Sequence, residues 1–409
     1  MKMERKRIIA GIKRAHERGD QSHAIYTPLE LCEEIVDQIP SSNGDNLVVA
    51  TIEFVYTLID KGVNKNNIWF ASADPLKRAI VSQMVPSKNV FAYRVEGKKL
   101  VFDTKKKNFS VVLGNPPFND NSETAGRSVD KIKENTTNLD VLFYRKMVEL
   151  GGHTAIILKS NYLAKKSNLR SEIFADPSVK LIWNTTKWFN IELETMVIVR
   201  DLSYSSDIKD IRGPDNISWQ LKSTSDTKLS LNIPAAAKDI YQKINLAAKF
   251  DNFGNHWMRG IPSRNNKLIT DQPTGIPIVD ITGNYPNIKY WAGDVQQPEV
   301  FDRFKVITNV NGNRTRIGAI KIVPPYHDVS NSVIFFVAEN EEIANNIKLY
   351  LESTFVNFLT KIFKVSNGNS SEFFNNIPWI DFSRTWTDEE LYDHFGLKEE
   401  QNYIEKNVK

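Results

Sequence analysis

The residues with the most specific chemical potential in this chain are four in a row, Asn115-Pro116-Pro117-Phe118. They follow a compact apolar run at 109–113, which has three lysines behind it (Lys105, Lys106, Lys107) and Gly114 ahead. That pattern predicts a buried strand ending in a turn. In open α/β sheets the crevice beyond the carboxyl ends of the strands is where ligands bind. The two prolines fix φ and remove two N–H donors, so nearby carbonyls and the Asn115 side chain are held rigidly outward. This arrangement suits methyl transfer to a planar exocyclic amine, whose nitrogen is a poor nucleophile because its lone pair is delocalised into the ring. The Asn115 side-chain oxygen and the Pro116 carbonyl could hold the two amine hydrogens and favour a tetrahedral nitrogen. Phe118 would stack on the ring, and no covalent enzyme intermediate or metal is needed. A proline-stiffened loop is the plainer reading; the apolar strand before and the aromatic after favour the chemical one.

Elements that could position this turn run along the first half of the chain. A helix is predicted from Thr27-Pro28, with Thr27 and Glu30 as a capping box and Pro28 in the first helical position. Leu31, Ile35 and Ile39 follow on one face, beside Cys32. Strands are expected at 46–50, 67–71 and 90–93, with helices between them and Asp74 at or just beyond the second strand. Residues 119–138 are polar and read as a loop near the site. A helix at 139–150 stops at Gly151-Gly152, and strands follow at 153–158, 179–183 and 194–200. The last two flank Lys187-Trp188-Phe189-Asn190 as an antiparallel hairpin at the sheet edge. Strands alternating with helices imply an α/β fold with a Rossmann-like, doubly wound, mostly parallel sheet.

After about residue 205 the composition shifts to Asn, Ser, Thr and Pro and the alternation stops. This predicts two domains, 1–205 and 206–409, the second of α+β type. Within it, Asn311, Asn313, Arg314 and Arg316 lie on one Gly-containing loop. Amides and guanidiniums read base edges bidentately, so these are candidate DNA contacts, with a polar surface hairpin as the plain alternative. Helices are expected at 341–358, with Asn340 as N-cap, and at 387–395. Residues 2–19 form a basic amphipathic pattern, fit for phosphates or for packing on the protein body.

The chain has 409 residues, 41% hydrophobic and 25% charged, with a net charge of +4. Bulk charge therefore says nothing about nucleic acid, and any basic footprint must be local. The single cysteine, Cys32, excludes a disulfide framework and a Cys-based zinc site. It also argues against cytosine-C5 methylation, which needs an activated thiolate. No apolar run is long enough to span a membrane and no signal peptide is visible, so a cytoplasmic location is expected.

Together, these residues resemble the amino-methyltransferases that modify adenine in DNA, of the restriction–modification and phage type. The resemblance rests on motifs within 22–200 and on layout beyond. It implies S-adenosylmethionine as cofactor, a flipped-out adenine as substrate, double-stranded DNA as partner, and a C-terminal target-recognition domain. A cognate restriction enzyme or partner subunit is a further implication. Asn115, Pro116, Pro117 and Phe118 match the catalytic motif, and Tyr26, Thr27 and Pro28 match the segment at the methionine end of the cofactor. Phe189, with Trp188 as alternate, matches the aromatic facing the base opposite Phe118. Glu53 could take the cofactor's amino group and Asp74 the ribose hydroxyls, although Ser72 competes for that place.

One departure stands out. The first strand of this family ends in a Gly-rich turn, but here the matching residues, 48–54, contain no glycine. An inactive or partner-dependent DNA-binding subunit therefore stays open as an alternative. So do methylation of RNA or of a glutamine side chain, and of cytosine N4.

Overall fold

The computed structural model describes residues 26–96, 99–117, 139–164, 167–189, 194–225, 227, 229–261, 269–282, 285–313, 315–364 and 367–408. The features expected at 2–19, Phe118, 119–138, Asn190 and Arg314 lie outside these residues. The chain divides into two compact units, 1–163 with 167–231, and 164–166 with 232–409.

The first unit begins with α1 (Leu29–Asp37) and then alternates β1 (Asn46–Val49), α2 (Ile52–Asp60), β2 (Ile68–Ala71), α3 (Pro75–Val81) and β3 (Val90–Phe91). A separate antiparallel hairpin of β4 (Tyr93–Glu96) and β5 (Lys99–Phe102) precedes β6 (Val111–Gly114). Then come α4 (Leu139–Glu149), β7 (His153–Lys159), α5 (Asn168–Ala175), β8 (Val179–Asn184), β9 (Thr195–Arg200), β10 (Ile208–Arg212) and β11 (Ser218–Lys222). Nine of these strands form one sheet, in the order β11-β10-β8-β9-β7-β6-β1-β2-β3.

β1 pairs in parallel with both β2 and β6, and β6 in parallel with β7. All four residues of β1 and of β6 are buried, as strands covered on both faces require. Chain order runs outward from β1 to β3 and then jumps back to β6 on the other side. The carboxyl ends of β1 and β6 therefore flank a topological switch point, the usual ligand crevice of such sheets. Gly114 belongs to this close packing. A Cβ there would lie 3.1 Å from both the Cβ and the carbonyl oxygen of Val49.

The predicted hairpin of β8 and β9 is antiparallel, but it is not the rim of the sheet. β10 pairs in parallel beyond β8, and β11 closes the edge antiparallel to β10. β11 buries Trp219 and Leu221 and exposes Ser218, Gln220 and Lys222, the alternation of a strand covered on one face. The sheet thus extends past residue 205, and the compact units divide between Leu231 and Asn232.

The second unit has two four-stranded sheets. One is ordered β12 (Met258–Arg259), β19 (Val333–Ala338), β16 (Phe304–Asn309), β17 (Ile320–Val323); the other β13 (Ile269–Thr270), β15 (Tyr285–Trp291), β14 (Ile276–Thr282), β18 (Asp328–Val329). Asn340 caps the helix that follows β19, its side chain accepting from the Ile343 N–H at 2.8 Å. The expected helix 341–358 is two helices, Glu341–Glu352 and Thr354–Phe363, because the Ser353 hydroxyl caps a new start by accepting from the Val356 N–H.

Candidate active site

Asn115 leaves the carboxyl end of β6 as a buried residue, and two threonines hold it. Its backbone N–H donates to the Thr51 hydroxyl at 3.0 Å, and its side-chain Nδ2 donates to the Thr27 hydroxyl at 3.0 Å. Both threonines stand at helix starts, yet neither caps its helix. The N-cap of α1 is Pro28, with no side-chain cap, and Thr51 precedes α2 without bonding to its first turn. The capping box expected of Thr27 and Glu30 is therefore absent, and Pro28 stands one place before the first helical residue. The competing hydrogen bond to Asn115 takes the Thr27 hydroxyl.

With Nδ2 engaged, the Asn115 amide leaves Oδ1 buried and, among the described residues, without a hydrogen-bond partner. A buried acceptor in that state costs about 1–3 kcal/mol, so it marks a place where a donor is missing. Pro116 and Pro117 continue the turn.

The glycine-poor turn lies beside it. Ala50, immediately after β1, adopts φ +65°, the left-handed conformation that glycine adopts readily and an L side chain only at a cost of about 1–2 kcal/mol. The turn therefore has the glycine-like backbone without the glycine. Lys77 of α3 donates through Nζ to the Ala50 carbonyl at 3.1 Å. Three residues on, Glu53 sits in the first turn of α2, buried. Desolvation pushes its carboxyl above the usual range, opposed by its own backbone N–H and by the charge of Lys77.

Asp74 is occupied locally. Its Oδ1 accepts from the Leu76 N–H at 2.8 Å and the Lys77 N–H at 3.4 Å, capping α3 with Pro75 in the first position. The Ser72 hydroxyl accepts from the Asp74 N–H at 3.1 Å. Phe189 packs inside the main apolar cluster, with the half-buried Trp188 against it. Tyr26 also packs on that cluster. Cys32 is fully buried, and burial, followed by the charges of Glu53, Glu33 and Glu30, raises its thiol well above the usual range. It is a core thiol.

A further polar group, not foreseen from the sequence, lies at the end of β7. Asp140, fully buried, accepts from the Tyr162 hydroxyl at 2.9 Å and has the Lys159 ammonium 3.9 Å away. Among the described residues no group of three or more His, Cys, Asp or Glu could hold a metal ion. No helix among them is long and apolar enough to cross a membrane.

Residues 41–189 match the family described as Eco57I restriction-modification methylase. That stretch runs from just before β1 to Phe189 and includes the left-handed turn and Asn115. Over it the chain is similar to a restriction-modification methylase. No curated protein matches the chain. Among solved structures, one similar chain is the methyltransferase subunit of a type I restriction-modification system from Streptococcus thermophilus, at 16% identity, covering 46% of this chain and 46% of that one, TM-score 0.34. Another is the type IIL restriction-modification enzyme MmeI in complex with DNA, at 11% identity, 86% of this chain and 64% of that one, TM-score 0.41. A third is the ATP-dependent type ISP enzyme LlaBIII bound to DNA, at 10% identity, 77% and 33%, TM-score 0.42. The chain spans about half the length of the type I system chains it matches.

In the second unit, the loop proposed for base contacts is tied down from beneath. The ammonium of Lys364 donates to the carbonyls of Asn313 and Arg316 at 2.8 and 2.9 Å and to Asn369 Oδ1 at 2.7 Å. Asn311, Asn313 and Arg316 are exposed, but Asn313 Oδ1 is engaged within the turn, accepting from the Thr315 N–H and hydroxyl. Beside the loop, Arg259, Asn309, Val310, Asn311, Asn331 and Ser332 line a cavity of ≈ 300 Å³. Arg259, Asn309 and Asn331 carry no spacing signal that would have grouped them beforehand.

Proposed function

We propose that this protein is an S-adenosylmethionine-dependent methyltransferase acting on the N6 amine of adenine in double-stranded DNA. The observation that carries the proposal is the unpartnered Asn115 Oδ1 at the carboxyl end of β6, aimed by the bond from Nδ2 to Thr27. An exocyclic amine supplies the donor that this acceptor lacks. The match of residues 41–189 to the restriction-modification methylase family supports the same reading.

The residues around the turn fit the cofactor. The left-handed Ala50 opens the end of β1 for close backbone approach, and the buried Glu53 offers a carboxylate for an amino group. Bound there, S-adenosylmethionine would supply an electrophilic methyl group. Asn115 Oδ1 and the Pro116 carbonyl accept the two amine hydrogens and draw the nitrogen lone pair out of conjugation. The amine nitrogen would then form the new C–N bond as the methyl–sulfur bond breaks, with S-adenosylhomocysteine as the leaving group and one amine proton passing to solvent. Catalysis by these residues is positioning and hydrogen-bond polarisation.

The base must leave the duplex to reach a buried amide, at an unstacking cost of a few kcal/mol. Phe118, with Phe189 or Trp188, would offset that cost by stacking. Asp74 would act at the ribose, and Tyr26, Thr27 and Pro28 at the methionine end. The second unit would choose the sequence, through Asn311, Asn313, Arg314 and Arg316, and a restriction enzyme or partner subunit would share the system. The left-handed Ala50 favours a working cofactor site over an inactive subunit.

Incubation with labelled S-adenosylmethionine and mixed-sequence duplex DNA, followed by nucleoside analysis, is the test. N6-methyladenine is the expected product, and Asn115→Ala should abolish it with an unchanged circular dichroism spectrum. Label in cytosine, in RNA, or in no acceptor would overturn the proposal.

A further inference from the structure

In a sheet of this kind the turn after β1 must let a ligand approach the backbone closely, and glycine is the residue that permits it. This chain places Ala50 there and still reaches φ +65°. Something must hold an alanine in that conformation. The flanking bonds locate the force. The Ala50 N–H donates to the Ala71 carbonyl at 2.8 Å, continuing the β1–β2 ladder. On the other side, the Thr51 hydroxyl accepts from Asn115, fixing the residue that follows. Between those two anchors the Ala50 carbonyl accepts, among the described residues, from a donor outside the turn, the Lys77 ammonium at 3.1 Å.

Lys77 is itself well placed for that task. It stands in the first turn of α3, whose start is fixed by the Asp74 cap and Pro75, and its own N–H is part of that cap. The ammonium also acts on the buried Glu53 carboxyl, lowering its proton affinity against the effect of burial. One cation thus touches the strained backbone and favours the charged form of the buried Glu53.

We propose that Lys77 is a positioning residue for the cofactor turn: its ammonium holds the Ala50 carbonyl so that an alanine keeps the left-handed conformation that glycine would otherwise supply. The proposal rests on the cofactor reading given above and extends it to a residue outside the matched motifs. It predicts that lysine at 77 and alanine at 50 depend on each other. A glycine at 50 makes the strut dispensable, and a lysine without its charge does not hold an alanine.

The test is calorimetric titration of S-adenosylmethionine into the full chain, with amide hydrogen exchange at Ala50 and Thr51 as a readout that needs no ligand. Lys77→Met is expected to weaken cofactor binding about tenfold and to speed exchange at these two amides. Ala50→Gly added to Lys77→Met should restore most of the affinity, a rescue that general destabilisation of α3 would not allow. Lys77→Arg, which keeps a cationic donor, should stay near wild type. Wild-type affinity in Lys77→Met, or failure of the glycine to rescue, would overturn the proposal. If the wild type binds no cofactor, the functional reading falls. The strut is then judged by exchange alone, and unchanged exchange in Lys77→Met overturns it as well.

Discussion

Glu53 shows how a buried candidate site residue and a stable fold pull in opposite directions. Burial raises its carboxyl above the unfolded value near 4.5, with the charge of Lys77 opposing. A raised folded-state value means that the fold prefers the protonated acid. The stabilisation from that preference is complete below about pH 4.5 and is lost as pH rises through the folded value. At neutral pH the buried charge is therefore a burden. Glu53→Gln is expected to be more stable than wild type at pH 7 and to bind S-adenosylmethionine more weakly. Urea unfolding at pH 4 and pH 7 checks it: the advantage of the variant should grow with pH, and an equal advantage at both would contradict the assignment.

At the scale of elements, the two threonines before α1 and α2 exchange a cap for a contact with Asn115. Replacing Thr27 or Thr51 by valine should leave helix content unchanged by circular dichroism, since no cap is lost. Each change frees a donor of Asn115, so turnover should fall about tenfold or more, with Thr27→Ser close to wild type. By contrast, Asp74→Ala removes a real cap and should cost about 1 kcal/mol in stability. A loss of helix in the threonine variants would return them to capping residues.

These elements also mark what could be read in advance. The apolar runs of β1, β2, β6 and β7 were legible because strands buried on both faces leave continuous hydrophobic stretches. The place of Asn115 at the end of a buried strand was legible from the apolar run before it and the prolines after it. Thr27 was misread as a cap because a local Thr-x-x-Glu pattern does not reveal a partner 88 residues away. The left-handed turn was invisible because its usual sign is glycine, and here a distant lysine takes over. The edge strand β11 was overlooked because composition changes before the sheet ends.

At the scale of the whole molecule, the second unit places its own strain in a buried cation. Burial lowers the Lys364 ammonium from 10.5 to about 8, while three oxygen acceptors surround it. The folded value lies below the unfolded one. The cost of burying the charge is therefore full below pH 8 and is relieved as pH rises toward 10.5. Relative to Lys364→Met, the wild type should gain about 1–2 kcal/mol between pH 7.5 and pH 9.5. Denaturant midpoints of the two proteins at both pH values decide it, and parallel curves would remove Lys364 from the account.

The bonds that aim Asn115 reach back 64 and 88 residues along the chain. Contacts of such separation close late, after the loops between them have lost their freedom. α1 must dock, and β1 must lie beside β6, before the amide has a fixed direction. A nascent or half-collapsed chain can hold every candidate catalytic residue and still have no oriented acceptor. The direction of the acceptor thus depends on these two long-range contacts being in place, and not on the Asn-Pro-Pro stretch alone.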